Sequence, residues 1–287
     1  MLTAYNTTTR YILRDANARF WSDTELNQYI NEARLQTVID SNSTRCLLQG
    51  VPLTAGTQQY PYSTLANYAI TGYSLAGTTL TVTCAGASLP FSAGIQIAIG
   101  GVTTPAALNG TWGIATATVG GTSFTIALSA AQAALMVGVY AGAGVVNISI
   151  LNVMDVYLLF NGTGWALDRY AYSTLGRYLR FYRPFKAPPA AFAVYAQSVW
   201  FGPIPDVAYT ADFDVVPYPA TLVDDTTFEA IPVPFQRMVP FYAAYRAYIA
   251  EQSQAKADYM MQQYKVQGAM AMKSQGARKL RHGSFRA

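Results

Sequence analysis

The sequence predicts an α+β protein with an N-terminal helix pair and a long C-terminal helix at its ends, antiparallel strands between them, and a small all-β domain. Three observations carry that expectation. A capped amphipathic helix stands near the front, in "NARFWSDTELNQYINEARLQTVID" from Asn17 to Asp40. Period-two alternation punctuated by paired glycines fills the middle. A segment without Pro or Gly then runs from Phe241 to about Gln267. At 287 residues the chain can bury a sizeable core, and it is read as two domains.

The first helix is expected around Thr7 to Ala16, packed antiparallel to the second. The second has a defined start. Ser22 supplies an N-cap hydroxyl, Glu25 the capping-box carboxylate, and Trp21 and Leu26 a hydrophobic staple. Leu26, Tyr29, Ile30 and Ala33 fall at i, i+3, i+4 and i+7, which buries one stripe. Val51 to Thr57 reads as a loop and Gln58 to Tyr62 as a short strand. Alternation in Leu80, Val82 and Cys84, in Ile95, Ile97 and Ile99, and in Phe124, Ile126 and Leu128 predicts strands. Gly100-Gly101, Asn109-Gly110 and Gly120-Gly121 read as hairpin-type turns between them, so residues near 73–146 form a small β domain.

Ile148, Ile150 and Val153 resume the alternation, and Asn161-Gly162 turns the chain before Trp165. A basic helix at about Tyr172 to Tyr182, a Pro-rich connection, and strands at Phe192 to Ala196, Val199 to Phe201 and Thr210 to Tyr218 follow. Pro219 to Pro232 is a loop holding Asp224, Asp225 and Glu229. Pro240 kinks or restarts the last helix, and Gly268 and Gly276 loosen the chain beyond it.

Charge is scarce and unevenly placed. Charged residues are 12% of the chain, about half the usual share, whereas hydrophobic residues are 52% and aromatics 13%. No Lys, Arg, Asp, Glu or His lies between Arg45 and Asp155, and from Lys265 onward every charged side chain is basic. Low charge with many Tyr residues points to surfaces covered by neighbours. Cys46 and Cys84 fit neither a disulfide framework nor a CxxC metal site, which suits a cytosolic origin. The start shows no signal-peptide pattern. "AALMVGVYAGAGVVNISIL", Ala133 to Leu151, is long enough to span a membrane, but Asn147, three glycines and the lack of flanking cations argue against it.

Catalytic and metal motifs are missing: no phosphate loop, GxGxxG, GxSxG or HExxH occurs, and the single His282 lies in the basic tail. No cofactor or metal is expected, and no enzyme. Asp212 with Asp214, Asp224 with Asp225, and Asp168 are the candidate carboxylates for a glycosidase, and the pairs read more simply as a solvated strand face and a turn. The tail from residue 265 to 287 has three readings: docking into an acidic crevice on a partner, which its interleaved Leu280 and Phe285 favour, contact with nucleic-acid phosphate, or a solubilising extension.

"WSDTELNQYINEAR" (Trp21 to Arg34), "VWFGPIPDVAYTADFDVVPYPATLVDD" (Val199 to Asp225) and "IPVPFQRMVPFYAAYRAYI" (Ile231 to Ile249), in this order, resemble tailed-phage head-to-tail adaptor proteins. Ser88 to Leu128 resembles a small β module that recurs as an add-on in phage virion proteins, with F-x-x-G-x-x-I-x-I-x-G, then L-N-G-x-W, then S-F-T. The resemblance implies an adaptor core of residues 1–72 and 147–264, an insert of 73–146, and a docking tail of 265–287. It further implies a ring, dodecameric in the family, that joins the portal to the tail in the virion neck, assembles in the host cytoplasm, and passes duplex DNA without sequence specificity. The implied partners are the portal protein, further copies of the chain, a tail nozzle or tail-tube protein, and a tail fibre at the insert, with no membrane. The docking residues would be Lys265, Lys273, Arg278, Lys279, Leu280, Arg281, His282, Phe285 and Arg286. The helical body and subunit interface would use Trp21, Leu26, Tyr29, Ile30, Tyr242, Tyr245 and Ile249. A tail-tube or nozzle component, and a glycan-binding tail protein acting through the insert, remain the alternatives.

Overall fold

A computed structural model describes residues 1–85, 89–118, 120–136, 138, 140–160, 163–175 and 185–274. The fold is α+β, as the patterning predicts. Two compact units divide the chain: Met1–Ser43 with Leu222–Asp225 and Ile231–Ala287, and Thr44–Thr221 with Thr226–Ala230.

The first unit is helical. Its long helices are α1 (Leu2–Leu13), α2 (Asp23–Ser41), α3 (Val239–Ala250) and α4 (Gln254–Ser274). α2 begins as expected: Ser22 Oγ accepts from the Glu25 backbone N–H at 3.3 Å, and the Ser22 N–H donates to Glu25 Oε2 at 2.9 Å. α1 departs from the expected Thr7 to Ala16. It starts at Leu2 and stops at Leu13, because Arg14 enters the left-handed region at φ 57° and its N–H returns to the carbonyls of the last turn. The uninterrupted final helix also needs correction. Gln252, at φ 61°, breaks it after Ala250, and α4 then runs on through Gly268 to Ser274. Gly268 lies inside α4 and does not end it; a Cβ there would meet the Met238 Cε at 2.9 Å, so the glycine leaves room for that side chain. Pro240, in the first turn of α3, starts that helix without kinking it.

The second unit holds fourteen strands among the described residues. Strands β1 (Cys46–Leu53), β14 (Tyr209–Pro217), β9 (Ile150–Phe160) and β10 (Thr163–Ala166) form one antiparallel sheet in that order. A second sheet runs β11 (Asp168–Arg169), β12 (Ala191–Tyr195), β13 (Ser198–Gly202) and β2 (Gln59–Pro61), with only the β11 to β12 pairing parallel. Strands β3 (Tyr68–Ala76), β4 (Thr79–Cys84), β7 (Ser123–Ala127), β6 (Gly110–Ala117), β5 (Gln96–Thr104) and β8 (Ala141–Ile148) close into a barrel in that order. Leu80, Val82, Ile97, Ile99, Phe124, Ile126 and Val146 fill its interior, while Thr79, Thr83 and Ser123 face out. A continuous hydrophobic cluster reaches from this interior to Phe201 and Phe213 in the sheets.

Three local readings are corrected here. Residues 51–53 belong to β1 and not to a loop; Pro52 is tolerated because β1 lies at a sheet edge. Gly100-Gly101 is a bulge inside β5, with Gly101 at φ 78°, where the backbone folds against Ala143. Asn109-Gly110 is not a two-residue hairpin: a 3-10 turn at Ala106–Leu108 precedes it, and the Asn109 amide bonds the Val102 N–H and C=O at 2.9 and 2.7 Å. The span from Ala133 to Leu151 resolves into part of a short helix and strand β8, and no described helix is long and apolar enough to cross a membrane.

Where barrel and sheet adjoin, three backbones bond in a cycle. The Gln96 N–H donates to the Tyr218 carbonyl at 2.9 Å, the Tyr218 N–H to Ser149 at 2.9 Å, and the Ser149 N–H to Gln96 at 3.1 Å.

Candidate functional site

The residues that carry the N-terminal motif act together in the helical unit. Trp21 meets Tyr248 edge-on, with ring centroids 6.3 Å apart, and Leu26 and Ile30 are fully buried. Asn31, one turn past the staple, uses its whole amide. It donates to the Leu222 and Asn27 carbonyls, each at 3.0 Å, and accepts from the Leu222 N–H at 2.8 Å and from Arg34 Nη1 at 3.1 Å. Glu32 Oε2 accepts from Arg246 Nε at 2.8 Å, which ties α2 to α3. Ala33 is fully buried, and Arg34 is 1% exposed. On α3 and α4, Tyr242 lies 5.4 Å from Tyr245 and 5.3 Å from Tyr264, ring to ring. Tyr29, Tyr245 and Ile249 are half-buried around the cluster that holds Leu26.

One polar centre escapes sequence reasoning. Asp15, 2% exposed, accepts from the backbone N–H groups of Arg19, Phe20 and Trp21 and from Arg10 Nη1 at 3.1 Å. Burial alone would raise its pKa, but the three backbone donors and Arg10 outweigh it and hold the carboxyl below its usual range. Arg10 also bonds Asp23 Oδ1 at 2.7 Å, which lowers that carboxyl too. The only advance signal is the short irregular stretch between the helices, where an Asp can collect turn N–H groups.

Three of the carboxylates considered for catalysis, Asp212, Asp214 and Asp225, hold other partners. Arg45 bridges Asp214 and Asp155, Asp212 accepts from the Gly50 N–H at 2.8 Å, and Asp225 accepts from the Thr3 N–H at 2.8 Å. Arg45 and Asp155 are the last charge before the uncharged stretch and the first after it. Asp168 lies exposed on β11, apart from these groups. Both cysteines are free; burial, aided by Asp214, pushes the Cys46 thiol up to about 12, and burial pushes Cys84 up to about 11. Among the described residues no three His, Cys, Asp or Glu side chains gather as a metal site.

Of the docking residues, Lys265 and Lys273 are exposed on α4. Arg278, Lys279, Leu280, Arg281, His282, Phe285 and Arg286 lie outside the described residues, as does most of the basic helix expected at about Tyr172 to Tyr182.

Comparison with known families matches residues 106–286 to the model of the SU10 adaptor protein family. That is well over half the chain, and it takes in the second half of the barrel strands, the sheet strands from β9 onward and the C-terminal helices. A search of curated proteins gives no match.

Proposed function

This chain belongs to the SU10 adaptor protein family, and on that premise we propose that its copies form a ring that joins the capsid portal to the tail, with the bore serving as part of the DNA ejection conduit. A bacteriophage structural role as a virion adaptor follows from the family; the ring, the portal and the conduit are our reading. The observation that carries it is the family match, which spans both the sheets and the C-terminal helices. The helical unit also exposes Tyr11 at 84% and Phe20 at 79%, apolar surface suited to cover by an adjoining copy.

The mechanism is one of assembly. Repetition around a ring turns a contact of a few kcal/mol into a tight joint, so a modest docking segment suffices. The segment from Lys265 onward carries positive charge only, and that favours an acidic crevice on the portal. A strongly positive bore would retard DNA, so the basic residues are assigned to docking rather than to the channel wall.

Native mass spectrometry of this protein mixed with the portal of the same genome tests the reading, with each component measured alone. A discrete complex with one adaptor chain per portal chain supports it. Rings or tubes formed without the portal would move the protein into the tail. Reversing Lys279, Arg281 and Arg286 to Glu should abolish the complex while leaving the thermal melt in place; undiminished attachment would remove the docking role from the tail.

A further inference from the structure

We propose that a groove in the helical unit, separate from the C-terminal tail, is a docking site for an acidic amphipathic segment of a partner protein. Two adjoining hollows of about 500 and 330 Å³ share Val233, Arg237 and Gln267. Ala4 and Thr8 of α1 stand on one side. Met270 and Ser274 of α4 stand on the other. Each hollow falls within the size range of ligand pockets and is large enough for apolar side chains.

Two features of the lining fix the chemistry of the occupant. The apolar contribution is open: Val233 is 71% exposed and Met270 58%. The charge has one sign. No acidic side chain lines either hollow among the described residues, and the exposed Arg237 guanidinium meets no carboxylate there. An apolar trough whose one charged side chain is the Arg237 guanidinium complements a segment that presents apolar side chains on one face and a carboxylate beside them. Arg237 likewise disfavours the chain's own sequence after Ser274, in which every charged side chain is basic.

The inference does not depend on the ring or on the portal. Fluorescence anisotropy with the full-length protein tests it, using three labelled peptides of equal length. One is an amphipathic helix of Leu and Glu, one replaces Glu by Lys, and one scrambles the acidic sequence so that no apolar face remains. The acidic amphipathic peptide should bind at least about tenfold tighter than either other. Arg237→Glu should weaken it about tenfold and shift preference toward the Lys peptide, and Val233→Asp or Met270→Asp should weaken it similarly. All three positions are exposed, so circular dichroism melts should stay in place and separate lost binding from lost folding.

Equal binding of the three peptides, or no effect of Arg237→Glu, overturns the proposal. So does a gain of more than about tenfold on removing residues 275–287, because the chain's own tail would then be the occupant. A change in oligomeric mass caused by Val233→Asp would assign the groove to a second copy and also overturn it.

Discussion

Asn31→Ala is the substitution that most directly tests how the helical unit holds Leu222–Asp225. The Asn31 amide pairs with both the N–H and the C=O of Leu222, a residue 2% exposed, 191 positions away in sequence. Alanine leaves those two backbone groups without their partner, and each buried unsatisfied group costs about 1–3 kcal/mol. It also takes an acceptor from Arg34, which is almost fully buried. Better helix propensity offsets less than about 0.7 kcal/mol. The net loss should be about 2–4 kcal/mol. Gln28→Ala on the exposed side of the same helix is the control and should change stability by less than about 0.5 kcal/mol. Urea titration followed by far-UV circular dichroism measures both, and hydrogen exchange over 222–225 shows where protection is lost. If Asn31→Ala matches Gln28→Ala, the two-sided amide contact is not what fixes this segment.

Other perturbations have equally definite outcomes. At Gly94, with φ 82°, an added Cβ would lie 2.4 Å from the Ala230 backbone nitrogen, so Gly94→Ala should cost on the order of 3 kcal/mol or more, while Gly100→Ala, with open space around it, should cost about 1 kcal/mol or less; comparable melting temperatures for the two would contradict the close approach. Because folding raises both thiols, their contribution to stability is whole below the unfolded thiol value of about 8.5 and fades as pH climbs toward the folded values. Urea midpoints should therefore fall between about pH 9 and 11, and iodoacetamide at pH 8 should label Cys46 and Cys84 only after denaturation; rapid labelling of the native protein would show that the thiols are not shielded.

What was legible in the sequence was local. Ser22, Glu25, Trp21 and Leu26 lie within six residues, and their spacing alone defines the start of α2. Alternation likewise marked Leu80, Val82, Phe124 and Ile126 as inward-facing. Glycine was ambiguous, since the same residue ends a helix, bends a strand or admits a neighbour: Gly101 bends β5 and Gly268 admits Met238. Only tertiary packing decides among these. The break at Gln252 left no Pro or Gly signal, because a non-glycine residue adopted the left-handed turn. Asn31 looked like an ordinary polar helix position, as its partner lies far away in sequence. The basic tail was conspicuous as charge, yet charge alone names no partner.

The cycle of backbone bonds among Gln96, Ser149 and Tyr218 has a mechanical consequence. One of its corners opens β5 of the barrel, one joins β8 to β9, and one follows β14 in the adjoining sheet. Tilting the barrel against that sheet would strain these bonds, and Ser149 alone separates β8 from β9. A tug or blow on the outer strands would thus travel straight into β14, making the barrel a stiff lever arm rather than a tethered bead.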